Sequence, residues 1–177
     1  MSVAIVVNAY NRPAALARLL ASLQQAAYPA DVPVPLIISI DRGGSADVRT
    51  LAHNFAWPHG PLEVIVQEQH LGLVQHFFAC GDLTQRYDAI VYLEDDLTVS
   101  PVFFAYATQS LSFYQHEERV AGLSLFGLWF NGYTSSPSCH WPMAPMHFSC
   151  KFPTPWVWLL RAHIGLASQP GFPHQRC

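Results

Sequence analysis

Glu94, Asp95 and Asp96 stand side by side in the stretch IVYLEDDLTVSP, residues 90–101, directly after a run of apolar residues. Three adjacent carboxylates at the end of a buried strand repel one another. Burial and like charge should raise their pKa values unless a cation joins them. No Lys or Arg is close to them in the sequence, so a divalent cation is the natural neutraliser, and all-oxygen ligands select hard Mg2+ or Mn2+. Other polar and ionisable residues sit in comparable places after apolar runs: Asn11 and Arg12, Asp41 and Arg42, Glu68 and His70. Taken singly, Asn11 is a helix cap, Asp41 a turn residue and His70 a surface histidine. Their joint placement at the ends of successive apolar runs weakens that reading. A second cluster, Cys139, His140, His147 and Cys150, has residue types that bind zinc. Adjacent Cys-His ligands are uncommon in structural zinc sites, and a loop that merely contains these residues is the simpler reading.

These residues can meet only if the strands that carry them end on one edge. Residues 3–7 form a continuous β-branched and apolar run, the pattern of a strand buried on both faces. Pro13 then opens a helix with Leu16, Leu19, Leu20 and Leu23 at spacings of three and four. Residues 36–40 are a second strand, followed by the turn Asp41-Arg42-Gly43-Gly44-Ser45. A weaker helix over 48–55 leads to a third strand at 62–66, a helix over 72–83 and a fourth strand at 89–93. Ser100-Pro101 reads as an N-cap with Pro at the first helical position, and Phe103, Phe104, Ala107 and Leu111 give that helix a buried face. Alternating strands and helices predict right-handed crossovers and a mostly parallel sheet with helices on both faces. In such sheets ligands bind at the carboxyl ends of the strands.

Composition narrows the function classes. With 177 residues, 51% of them apolar and 12% charged, the chain can bury one sizeable core. A net charge of -3 with no Lys/Arg cluster argues against a nucleic-acid partner. The N-terminal apolar run lacks a preceding basic residue and meets Asn8, Asn11 and Arg12 at once, so neither a signal peptide nor a transmembrane segment fits. A soluble cytoplasmic protein with reduced cysteines is the expectation. From about Phe126 regularity fades into a segment rich in Pro, Gly, Ser and aromatics, and WVWLLRAHIGLA then resumes a pattern read as one more helix. The expected division is 1–125 as an α/β ligand-binding unit and 126–177 as an irregular segment and tail of the same domain.

The order NAYNRP after the first strand, SIDRGG after the second, HLGL opening a helix and YLEDDLTVSPVFF after the fourth resembles nucleotide-sugar-dependent glycosyltransferases of the GT-A fold, family 2 type. It is also similar to the N-acetylglucosaminyltransferase I group, whose triplet is likewise Glu-Asp-Asp followed by a Pro-initiated aromatic helix. The resemblance covers residues 3–115 well and 152–163 weakly. It implies an α/β, Rossmann-like three-layer sandwich with a mostly parallel central sheet, truncated at its C-terminus. It implies transfer of a sugar from a nucleoside-diphosphate sugar, UDP-sugar favoured, to an acceptor hydroxyl on a glycan or other molecule, with Mn2+ or Mg2+ and inversion. Asp96 matches the metal ligand that bridges the donor diphosphate, Asp95 the residue facing the ribose, and Glu94 a supporting position. Arg12 and Asp41 match contacts to the uracil base, and His70 a donor-site histidine.

The chain departs from the pattern at the general base. In the resembling enzymes an acidic residue beyond the aromatic helix deprotonates the acceptor, but no Asp or Glu follows Glu118. His140, His147 or the substrate itself are the alternatives. Two other functions fit some of the residues. EDDLT differs by one methylene from Asp-x-Asp-x-Thr, the signature of Mg2+-dependent phosphatases with an aspartyl nucleophile. A non-catalytic chain that keeps only the donor half would also look like this.

Overall fold

Strand β1 (Val3–Ala9) is buried at every position, as its unbroken apolar sequence requires of a strand covered on both faces. The computed structural model describes residues 1–117, 120 and 122–125, together with the strand backbone at 130–131, 136–137 and 158–161. After β1 come α1 (Pro13–Gln25), β2 (Leu36–Ile40), α2 (Ala46–Asn54), β3 (Leu62–Val66) and α3 (Gly72–Gly81), which runs into a 3-10 turn at Asp82–Gln85. Then follow β4 (Ala89–Glu94), α4 (Phe103–Phe113), β5 (Gly122–Ser124), β6 (Phe130–Asn131), β7 (Ser136–Pro137) and β8 (Trp158–Arg161).

Six strands form one sheet in the order β3-β2-β1-β4-β8-β5, and β6 pairs with β7 apart from it. Strands β3, β2, β1 and β4 are mutually parallel, while β8 runs antiparallel to both β4 and β5. The architecture is therefore the α/β sandwich with a mostly parallel sheet that the alternation of elements implies.

Strand alternation sorts the core into two layers. Val3, Ile5 and Val7 of β1, Leu36, Ile38 and Ile40 of β2 and Val91 and Leu93 of β4 pack with Leu16, Leu19, Leu20 and Leu23 of α1, Val48 and Ala52 of α2, and Phe103, Phe104, Ala107 and Leu111 of α4. The intervening residues Ala4, Val6, Ile37, Ile90 and Tyr92 face α3, meeting Cys80 and the partly buried Phe77. Each fully buried Leu or Ile here contributes about 1.5–3 kcal/mol relative to exposure. Helices thus cover both faces of the sheet.

Two expectations need correction. The segment read as a last helix contains strand β8, whose Trp158 to Arg161 pair with Tyr92 to Ala89 of β4. A four-residue apolar run has no periodicity that separates a strand from a helix turn, and the open edge of β4 supplies the hydrogen bonds that decide it. Helix α4 begins at Phe103, with Val102 at the cap making no side-chain bond, instead of at Ser100-Pro101. Those two residues form a preceding turn: the Phe103 amide donates to the Ser100 carbonyl at 3.1 Å, while the Pro101 carbonyl is held by the Ala27 amide at 2.8 Å. That tie to the end of α1 draws Pro101 out of the helix. The Cys139–Cys150 cluster, including His140 and His147, lies outside the described residues, as does most of 126–177. Among the described residues no helix is long and apolar enough to cross a membrane.

Candidate functional site

Strand order reverses between β1 and β4, and their carboxyl ends lie in register, Asn8 beside Glu94. A crevice opens beyond such a reversal. Strand β4 stops in a turn closed by the Leu97 amide on the Glu94 carbonyl at 3.2 Å, which places Asp95 and Asp96 at its corner. The turn is tied down from below, because the Val99 amide donates to Ser22 Oγ of α1 at 3.1 Å.

This corner gives the three acids different environments. Asp95 turns inward and is 9% exposed; burial raises its pKa, with Arg12 and the donated amide of Tyr10 opposing. Glu94 is half-buried, and burial first, then Asp96 and Asp95, push it up to about 7. Asp96 turns to the rim and meets the Arg12 guanidinium at 2.7 Å. The expectation of a triplet without a neighbouring cation is therefore corrected: Arg12 arrives from the β1–α1 loop, 84 residues away in sequence. With side chains 60% and 37% exposed, this is a surface pair worth roughly 0–1 kcal/mol, weak enough for a divalent cation to replace.

Glu94 also carries a pH prediction. A carboxyl raised in the folded state binds its proton more tightly there than in the unfolded chain, so its ionisation costs stability. The cost sets in above the ordinary value of 4.5 and is complete above about 7. Glu94→Gln should therefore melt a few degrees higher than the parent at about pH 8 and equal it at about pH 4. A difference in melting temperature that does not vary with pH would contradict this.

Asp41 closes a second part of the site. Its carboxylate, 3% exposed, accepts the Arg42 and Leu71 amides on Oδ1, both at 2.8 Å, and the Gly72 amide on Oδ2 at 2.9 Å. His70 Nδ1 stands 2.9 Å from the same Oδ2. Burial works to raise the Asp41 pKa, but the three amides and His70 together hold it below the ordinary value. Four partners fill the four lone-pair positions of a carboxylate. Gly72, at φ +71°, adopts a left-handed conformation that brings its amide back onto Asp41.

Tyr10, which the sequence analysis did not single out, completes the rim. Its ring lies 5.5 Å from that of His70, tilted by 32°, and the pair makes an exposed aromatic flank above the ends of β1 and β2. Its carbonyl accepts the Ser45 amide at 3.1 Å. Gly44 permits this approach, since a Cβ there would sit 2.2 Å from the Tyr10 carbonyl oxygen. The signal was an aromatic residue in the polar exit loop of a buried strand. Arg42 reaches across to the Glu68 carbonyl, and its own carbonyl is 3.2 Å from His70 Nδ1.

The structure thus gathers Arg12, Asp95, Asp96 and Glu94 on one side and Asp41 and His70 on the other, with Tyr10 between: its amide is bonded to Asp95 and its ring faces His70. Among the described residues no contact links Arg12 to Asp41, the two expected to share a base. No group of three His, Cys, Asp or Glu side chains is assembled to cage a metal among them either. Exposed Asp96 offers one hard oxygen donor, which fits Mg2+ or Mn2+, ions held by one or two carboxylates plus substrate phosphates. It does not fit zinc.

The α/β architecture is similar to that of GT-A-like glycosyltransferases. Among solved structures, TarS 1-349 of S. aureus matches with a TM-score of 0.58 and 12% identity over 92% of this chain and 47% of that one. The same protein in complex with UDP gives 0.54 and 14% over 65% and 33%. The mannosyltransferase PcManGT of Pyrobaculum calidifontis, in complex with GDP-Man and Mn2+, gives 0.56 and 15% over 71% and 35%. The chain spans about a third to a half of the length of these proteins. No family model and no curated protein matches it.

Proposed function

We propose that the chain forms the donor side of a metal-dependent glycosyltransferase that takes a nucleoside-diphosphate sugar, with UDP-sugar favoured by the motif order of the family 2 type. One observation carries the reading: the loops leaving β1 and β4 at the strand-order reversal are joined by Arg12 on Asp96. That pair sets a cation and a metal-seeking carboxylate where a diphosphate would lie. Asp96 would hold Mn2+ or Mg2+ there, and the metal would neutralise charge developing on the departing diphosphate without consuming a proton. Arg12, paired with Asp96 in the free chain, would be available to the donor when Asp96 holds the cation. Asp95, fixed by the Tyr10 amide, faces the ribose side, and Glu94 supports both from the strand end.

The base is assigned to the aromatic flank. Tyr10 offers a face and His70 a polar edge, while Asp41, with every lone pair taken, supports the loop that carries His70. A role for Asp41 in direct base contact would cost it one of those four bonds. Displacement at the anomeric carbon with inversion needs a base for the acceptor hydroxyl, and no Asp or Glu follows Glu118 in the sequence to supply one.

Phosphatase chemistry is disfavoured by position and protonation. Glu94 would be the nucleophile, yet it ends the fourth strand, is half-buried and carries a pKa near 7. The two readings separate in one assay: incubated with UDP-sugar and Mn2+, the chain should release UDP slowly and no phosphate from an aryl phosphate. Phosphate release lost in Glu94→Gln would replace the present reading with the phosphatase. UDP binding without any turnover would mark a donor-binding chain that lacks catalysis.

A further inference from the structure

The face of β2 that meets α3 is polar where a core would be apolar. Ile37 is followed on that face by Ser39 and Asp41, 1% and 3% exposed. Ser39 Oγ lies 2.7 Å from Nε2 of His76, itself 2% exposed, and accepts Gln67 Nε2 at 3.1 Å. The buried Cys80 thiol lies on the same helix one turn beyond His76. Burial lowers the His76 pKa against the pull of Asp41, which favours the neutral ring.

Apolar packing reaches α3 through few of its own residues, Cys80 and Phe77. Its buried residues are His76, Cys80 and Gly81, while Leu73, Val74 and Phe78 are 71%, 62% and 38% exposed. Phe77 adds an aromatic contact to the sheet, edge-on to Tyr92 at 5.0 Å. Apolar contacts tolerate sliding, whereas a buried hydrogen bond is lost when its partner moves and leaves a costly unpaired group. The register of α3 on the sheet is accordingly set at two polar points on one strand, Ser39 on His76 and Asp41 on the Leu71 and Gly72 amides. Between them hangs the Gln67–Leu71 loop with His70 at its tip, and its first residue is tied to Ser39.

We propose that Ser39, His76 and Gln67 form a register lock that positions the β3–α3 loop, making His76 a positioning residue for nucleotide binding. The proposal rests on the donor-site reading for its functional consequence, but the lock itself is a property of the free chain. Without it, the Asp41 cradle and the His70 ring lose their fixed relation to Tyr10.

Two readouts test it, amide hydrogen exchange of Leu71 and Gly72 in the nucleotide-free chain and calorimetric affinity for UDP with Mn2+. His76→Leu should melt a few degrees below the parent, because it leaves the buried Ser39 hydroxyl short of a partner, and should exchange both amides about tenfold faster and bind UDP about tenfold more weakly. His76→Gln, which returns an amide near the position of Nε2, should restore both. Gln67→Ala, at a half-buried strand end, serves if the His76 variants do not fold, and should also speed exchange. Parent-like protection of Leu71 and Gly72 in His76→Leu or Gln67→Ala would overturn the lock. If the parent binds no UDP, the donor reading fails while exchange still decides the lock.

Discussion

Replacing Asp96 by Ala is expected to abolish the cooperative binding of Mn2+ and UDP. In the parent, calorimetry should find each weak alone and tighter together, because the diphosphate completes a coordination shell to which the protein gives few oxygens. Asp96 is the triplet member that reaches the rim; Asp95 is turned onto the Tyr10 amide and Glu94 is half-buried. Neither neighbour presents its carboxylate at the rim as Asp96 does. The apparent affinity for UDP in Mn2+ should fall at least about a hundredfold, whereas second-sphere changes typically cost ten- to a hundredfold. Affinity for UDP without metal should change little, and the Arg12 guanidinium, freed from its partner, should if anything favour the diphosphate. Undiminished synergy in Asp96→Ala would move the metal away from the triplet.

The second expectation concerns turnover. Stabilising the leaving diphosphate requires only the donor half, whereas deprotonating an acceptor hydroxyl requires a positioned base, whose absence costs on the order of a hundred- to ten-thousandfold in rate. No Asp or Glu follows Glu118 in the sequence. The chain should therefore bind UDP-sugar yet release UDP at a rate that an added acceptor barely increases. Fusing a segment that brings an Asp or Glu near the anomeric carbon should raise acceptor-dependent release by that same factor. Robust acceptor-dependent release by the chain itself would show that a histidine or the substrate supplies the base.

Much of the fold was legible because its signals are local. The unbroken apolar runs of β1 and β2, the leucine spacing after Pro13 and the Phe103, Phe104, Ala107, Leu111 face each carry their burial in their own sequence. The position of the carboxylates followed from where the fourth run ends. Features set by tertiary pairing were not legible. Arg12 meeting Asp96 depends on the β1–β4 register, which sequence distance hides. Asp41 reads as a turn residue until the Leu71 and Gly72 amides are brought to it from another loop. Residues Trp158–Arg161 read as helix because the partner that makes them a strand, β4, is remote. His76 lies in a helical run where a histidine is unremarkable, and only Ser39 on the strand beneath gives it a partner.

Paramagnetic broadening by Mn2+ tests the donor site most directly. In an amide-resolved spectrum of the parent with UDP present, substoichiometric Mn2+ should broaden Asp95, Asp96, Asn11 and Arg12 first, then Tyr10, and spare the distant end of the sheet at Val3 and Ala89. The same titration without UDP should broaden these signals far less. Broadening centred elsewhere, or unchanged by UDP, would contradict a metal-bridged nucleoside diphosphate at the ends of β1 and β4.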